Sequence, residues 1–248
     1  MKILALGDIV GPLGCSHVCK KLWSFRKENN ISFVVANGEN ADEGNGISRE
    51  SASELLSRGV DVITGGNHVF RKKNIYDFLD MSDCMIRPAN YPSSCPGKGY
   101  TVVDAIGYRA LVINVQGTAF MEPLNCPFET VERILERNEG RYDFSVLDIH
   151  AEATSEKIAL AHYFDGRINI IFGTHTHVPT ADCKVFPGGT GYITDLGMCG
   201  VQDGVLGVEP EIIIKRLKDK MPQRFTHVQG EPTARGALFD LDVSSGRV

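Results

Sequence analysis

The segment Ile31-Ser32-Phe33-Val34-Val35-Ala36, followed at once by Asn37-Gly38-Glu39-Asn40, decides the fold. Six residues with one polar member fit a strand buried on both faces and are too short for a buried helix. Before it, Lys2 to Leu6 reads as a first strand ending in Gly7-Asp8-Ile9-Val10-Gly11. Between the two, Cys15 to Lys27 reads as a helix with Val18, Leu22 and Phe25 on one face. After it, a helix starts near Ser48 as N-cap and stops at Gly59. Val60 to Ile63 is then a third strand, ending in Gly65-Gly66-Asn67-His68. The order β-α-β-α-β predicts a mostly parallel sheet covered by helices. In such sheets ligands bind beyond the carboxyl ends of the strands.

Arg71 to Leu79 reads as a short helix, followed by a Pro/Gly-rich loop from Arg87 to Gly99. Tyr100–Ala105 and Arg109–Val115 form a hairpin across Ile106-Gly107-Tyr108. Glu129 to Arg137 is an amphipathic helix. Phe144 to Ile149 is a strand delivering His150, and a helix runs from Thr154 to about Phe164. Ile168 to Phe172 is a strand ending in Gly173-Thr174-His175-Thr176-His177. Late strands fall at Ala181–Phe186, Thr190–Thr194, Arg224–Val228 and Ala237–Leu241, and Glu209 to Leu217 is helical. With no repeat, low-complexity tract or linker, the expectation is one domain over residues 1–248.

Composition narrows the class. The net charge of -5, with both signs interspersed, argues against a surface that tracks long nucleic acid. A small anionic ligand is still compatible with it. No apolar run reaches the roughly 18 residues of a membrane span. The N-terminus runs into Gly7-Asp8 without a secretory apolar region. Seven scattered cysteines, none in Cys-x-x-Cys spacing, suggest neither a disulfide framework nor a thiolate zinc site. Cys15 and Cys19 read as small buried residues. The expectation is a soluble cytoplasmic enzyme. The glycines at 7, 11 and 14 invite a phosphate-loop reading, but neither Gly-Lys-Ser/Thr nor Gly-x-Gly-x-x-Gly is present.

Five strands end in side chains able to bind metal: Asp8, Glu39 with Asn40, Asn67 with His68, His150, and His175 with His177. Taken singly, each has an ordinary reading as a cap, a turn residue or a hydrogen-bonded histidine. Collected at one sheet edge, they supply carboxylate, amide and imidazole but no thiolate. That donor set favours Fe, Mn or Zn at a hydrolytic centre over a structural zinc knot. It suffices for two ions, with Glu39 able to bridge them. Such a pair can hold a hydroxide and stabilise both oxygens of an in-line displacement at phosphorus. Asp148, Asp195 and Glu152 are candidate partners for the imidazoles, although each reads more readily as a solvent or cap residue. Arg87, Lys98 and Lys157 are candidate phosphate contacts that the sequence does not place.

These motifs, with Arg87-Pro88-Ala89-Asn90, Pro96-Gly97-Lys98-Gly99-Tyr100-Thr101 and His150-Ala151-Glu152-Ala153-Thr154-Ser155-Glu156-Lys157, resemble the calcineurin-like metallophosphoesterase superfamily. Within it the chain resembles the bacterial YmdB-type branch over nearly its whole length. Asp8-Ile9-Val10 stands where the superfamily has Asp-x-His, and Gly38-Glu39 where it has Gly-Asp, as in that branch. The resemblance implies a sandwich of two β-sheets flanked by helices, with the active site at the carboxyl ends of the strands. It implies one metal on Asp8, Glu39, Asn40 and His177, and a second on Glu39, Asn67, His150 and His175. His68 would be the catalytic proton donor, and iron the expected metal. The implied function is a phosphodiesterase opening 2′,3′-cyclic nucleotides through a metal-bridging hydroxide, and a homo-oligomer is compatible with it. The alternatives are a phosphomonoesterase or nuclease with the same site, or a regulatory protein binding metal and nucleotide.

Overall fold

The computed structural model describes residues 1–248. Its first sheet has five strands in the order Gly236–Asp240, Lys2–Leu6, Ile31–Asn37, Val62–Thr64, Met85–Ile86. The last four run parallel, and only Gly236–Asp240 is antiparallel. The second sheet has six strands, ordered Lys184–Val185, Gly191–Ile193, Ile170–Thr174, Phe144–His150, Tyr108–Gln116, Tyr100–Ala105. Its central four are parallel and its two outer strands antiparallel.

Strand alternation explains how the sheets stack. Ile3, Ala5, Phe33, Val35 and Val62 face Ala110, Val112, Phe144, Val146, Ile170 and Phe172 of the other sheet in one buried cluster. Phe33 and Phe144 meet there edge to face at 5.9 Å. The opposite face of the first sheet, including Leu4, Leu6 and Val34, packs on Val18 and Leu22 of the Gly11–Glu28 helix and Leu55 of the Arg49–Ser57 helix. The outer face of the second sheet, including Leu111, Ile113, Leu147 and Ile171, packs on the Pro127–Arg137 and Thr154–Tyr163 helices. Both faces of each sheet are therefore covered, which is why the central strands read as near-continuous apolar runs. The result is the expected sandwich of two sheets flanked by helices. No helix is long and apolar enough to cross a membrane.

Several boundaries move. The first helix begins at Gly11, four residues before the expected start, because Pro12 sits in its first turn, where a missing N–H costs nothing. Ser48 caps the second helix as expected, accepting from the Ser51 N–H at 3.2 Å. The Arg71–Leu79 stretch is a 3-10 turn over Lys73–Ile75 that passes into a helix over Tyr76–Met81. Arg224–Val228 is not a strand; only an isolated bridge joins His227 to Val208. Alternation alone does not make a strand where no neighbouring strand supplies a ladder. Conversely, Met198–Val201 is a strand the sequence reading did not separate out. It pairs with Asp8–Ile9 and Pro232–Thr233 in a small third sheet. Gly7 and Gly14 line that contact, since a Cβ on them would lie 2.0 Å from the Gly197 oxygen and 2.2 Å from the Cys199 oxygen. Their absence of side chains serves strand packing, in keeping with the rejected phosphate-loop reading.

Candidate metal centre

Every expected site residue lies at the carboxyl ends of the parallel strands of both sheets, and all eight fall into one connected group. Asp8 and Glu39 follow neighbouring strands of the first sheet, whereas His150 and Thr174 are register partners in the second. Facing the sheets brings the two sets together.

The geometry centres on Glu39, which is 1 % exposed. Its Oε1 is 3.2 Å from His150 Nε2 and 3.1 Å from His68 Nδ1. His150 Nε2 is also 3.0 Å from Asn67 Oδ1 and 3.1 Å from His175 Nδ1. Glu39, His150 and His175 each offer one ligand atom, all within 4.8 Å of one another, a group able to hold a metal ion. On the other side, His177 Nε2 is 3.3 Å from Asn40 Nδ2 and 3.7 Å from Asp8 Oδ1. Asp8 Oδ2 accepts the His175 N–H at 2.9 Å, which leaves its buried Oδ1 without a hydrogen-bond partner. A buried carboxylate oxygen with no donor is costly unless a cation meets it. Two imidazole nitrogens at 3.1 Å likewise share at most one proton between them. The donor set thus fits metal ions, with hard oxygen and imidazole nitrogen ligands and no thiolate.

Electrostatics set His175 and His150 apart. Burial, reinforced by the charge of His150, pushes His175 down to about 3, so its imidazole is neutral and free to ligate. Burial raises Asp8, against the pull of His177 and His150. Burial also works against charge on Glu39, but the contacts with His150 and His68 hold it well below the usual carboxylate range. Burial would lower His150 too, yet Glu39 above all carries it up to about 9.

His68 is held by its Nδ1, which lies 2.9 Å from Asn40 Oδ1 in addition to the Glu39 contact. Its Nε2 is turned away, 3.4 Å from Asn45 Nδ2. With Nδ1 donating to two oxygens, Nε2 is the nitrogen left to hold or release a proton.

Beneath the site lies a polar network that sequence reasoning placed only in part. Asp148, expected at the surface, is fully buried. It accepts from Asn37 Nδ2 at 3.0 Å and Thr174 Oγ1 at 2.7 Å, and it contacts the Thr64 hydroxyl. Thr174 Oγ1 in turn lies 2.9 Å from His150 Nδ1 and orients that ring. Asp195 is also fully buried rather than solvated, because the loops around it donate hydrogen bonds to its carboxylate. Glu152 does meet an imidazole, with its Oε2 at 3.2 Å from His175 Nε2. Asn37, Thr64 and Thr174 were missed. Their only signal was position at strand ends beside the expected ligands.

None of the three cations considered for phosphate is free to serve. Arg87 is buried and donates to the carbonyls of Pro88 and Pro96, pinning its own loop. Lys98 pairs with Asp83 on the surface. Lys157 is buried against Asp195.

Comparison with known proteins agrees with this architecture. The model of a family described as YmdB-like protein matches residues 4–248. The chain is 45% identical over 242 residues to the 2′,3′-cyclic-nucleotide 2′-phosphodiesterase of Bacillus subtilis (strain 168), covering 98% of this chain and 92% of that protein. A crystal structure of a hypothetical protein from Thermus thermophilus superposes with a TM-score of 0.88 at 38% identity, over 96% of this chain and 99% of that one. A structure described as a novel phosphatase of Mycoplasma pneumoniae superposes with a TM-score of 0.93 at 32% identity, over 100% of this chain and 90% of that one. Motifs, fold and full-length similarity converge, and the chain belongs to the YmdB-like family.

Proposed function

We propose that this chain is a metal-dependent phosphodiesterase that opens 2′,3′-cyclic nucleotides, with iron as the metal used. One observation carries the reading: Glu39 Oε1, His150 Nε2 and His175 Nδ1 converge with the partnerless Asp8 Oδ1 beside them. Asp8, Glu39, Asn40 and His177 would hold one ion. Glu39, Asn67, His150 and His175 would hold the second. Two cations so held would act as Lewis acids, activating water and neutralising charge on the phosphoryl oxygens.

The chain's own residues supply the remainder. Neutral His175 keeps its lone pair available, and Thr174 fixes the ring of His150. Water adds to phosphorus, the bond from phosphorus to one ribose oxygen breaks, and that oxygen takes a proton. The name of the Bacillus relative favours the 2′ oxygen as the one released. His68 is placed to give that proton from Nε2, its ring held by Glu39 and Asn40 through Nδ1.

The test pairs metal analysis with hydrolysis of 2′,3′-cyclic AMP, bis-p-nitrophenyl phosphate and p-nitrophenyl phosphate. Two ions per chain with diesters preferred supports the proposal. A preference for the monoester would instead make it a phosphatase, the activity in the Mycoplasma neighbour's description. Protein that takes up no metal on reconstitution would sink the reading.

A further inference from the structure

The one buried lysine, Lys157, makes an ion pair that the chemistry above does not use. Lys157 and Asp195 are both fully buried, and Lys157 Nζ donates to Asp195 Oδ2 at 2.7 Å. The lysine stem crosses the strand that carries the histidine loop. A Cβ on Gly173 would lie 2.6 Å from Lys157 Cδ, so the missing side chain makes room for that stem.

The carboxylate it supports reaches both halves of the site. Asp195 Oδ2 accepts the N–H of Thr176, the residue between His175 and His177, at 3.2 Å. Asp195 Oδ1 accepts the N–H of Gly197 at 2.8 Å, and the Gly197 oxygen accepts the N–H of Asp8 at 3.1 Å. Asp195 is itself fixed to the same loop, since its N–H donates to Thr180 Oγ1 at 3.0 Å and its carbonyl accepts the Thr180 N–H at 3.1 Å. One carboxylate therefore references His175, His177 and Asp8 to a common point.

That reference is needed because the loop does not hold its shape by backbone preference. His175 and His177 have φ of 97° and 63°, in the left-handed region that side chains other than glycine avoid. Conformations of this kind persist only where surrounding contacts over-determine them. Here the Thr176 N–H to Asp195 bond and the His175 N–H to Asp8 bond lie between and beside the two strained residues.

We propose that Lys157 and Asp195 are positioning residues: a buried ion pair that sets the spacing of Asp8, His175 and His177 before metal arrives. Lys157 Nζ holds Asp195 Oδ2 in place, and the carboxylate offers its two oxygens as acceptors to two amide donors, Thr176 N–H and Gly197 N–H. An amide in its place has one acceptor oxygen, and its NH2 would face the other N–H. The inference rests on the metal-site reading above.

The test uses the full chain and the double variant Lys157→Met/Asp195→Asn, in which no unpaired charge is left buried. Three quantities are read: the melting temperature in EDTA, the apparent Kd for Mn2+, and the electron paramagnetic resonance signal of the Mn2+-loaded protein. A pair that merely supports the fold predicts wild-type Mn2+ affinity and a wild-type coupled-pair signal once the charges are removed together, and that result overturns the proposal. The proposal expects a melting temperature near wild type, Mn2+ affinity lower by about 10- to 100-fold, and isolated-ion signals in place of the coupled one. Should the variant not fold, amide exchange on the unaltered, EDTA-treated chain decides. Thr176 and Gly197 amides protected like core strands are expected, whereas exchange as fast as exposed loop amides overturns the idea. The exchange result stands even if the wild-type chain binds no Mn2+, an outcome that would remove the metal reading alone.

Discussion

Replacing Gly66 with alanine tests the assembled site more sharply than removing a ligand. Gly66 is outside the left-handed backbone region, so alanine meets no conformational penalty there. All of the conflict is steric. The added Cβ would lie 2.1 Å from Glu39 Oε2 and 2.3 Å from His150 Nε2. Ordinary contact begins near 3.4 Å, so either both groups retreat by more than about 1 Å or the Gly66 backbone does. Misplacement on that scale costs about 10²-fold in rate, equivalent to about 2.7 kcal/mol of activation free energy. The assay is kcat/KM on bis-p-nitrophenyl phosphate, with metal per chain by mass spectrometry and a urea unfolding midpoint. We expect Gly66→Ala to fold, to hold fewer than two ions and to lose at least the stated factor. Gly140→Ala is the control, because Gly140 has φ of 71° with nothing within 4 Å of an added Cβ. It should lose about 1 kcal/mol of stability and no activity. A Gly66→Ala protein with both ions and near-normal turnover would refute the placement of Glu39 and His150 around one centre.

Three further outcomes are expected. His68→Ala should keep its metals while kcat on 2′,3′-cyclic AMP falls by about 10²- to 10⁴-fold. The fall should be much smaller on bis-p-nitrophenyl phosphate, whose leaving group departs without a proton; equal losses on both would rule out His68 as the acid. Burial pushes Asp148 up to about 6. That lies above the value of about 3.9 in an unfolded chain, so Asp148 costs stability as pH rises from about 4 through 6, by about 3 kcal/mol in full. In EDTA-treated protein Asp148→Asn should remove that decline, and a variant-to-wild-type difference equal at pH 4 and pH 7 would contradict it. Arg26 donates to the carbonyls of Ile31, Ser32 and Gly59 and pairs with Asp61 at 2.9 Å, tying the first helix to the Ile31–Asn37 strand and to the turn that leads into Val62–Thr64. Arg26→Ala should lower unfolding free energy by about 2 kcal/mol in urea titration without altering metal content, and an unchanged midpoint would show that those bonds contribute nothing.

Much of the fold was readable because both sheets are buried on both faces. Ile31–Ala36 is apolar at nearly every position, so burial alone marked it as a strand. Met198–Val201 escaped because Met198 follows Gly197, and its partners Asp8–Ile9 and Pro232–Thr233 are short. Arg224–Val228 misled because its pattern suits a strand but no strand lies alongside it.

The sequence by itself determined the order of most of the strands and helices that build the two main sheets, the chemistry of the donors and their placement at strand ends. Those follow from local burial and residue type, which the chain carries without reference to distant parts. Only the tertiary structure decided which donors meet. It brought Glu39 against His68 and His150, left Asp8 Oδ1 without a donor, and sank Asp148, Lys157 and Asp195 into the interior. Partners such as Asn37 and Asp148, or His175 and Asp8, are 111 and 167 residues apart in the chain. Nothing local records such contacts; they exist because stacking two sheets on one apolar core brings their polar ends to one place.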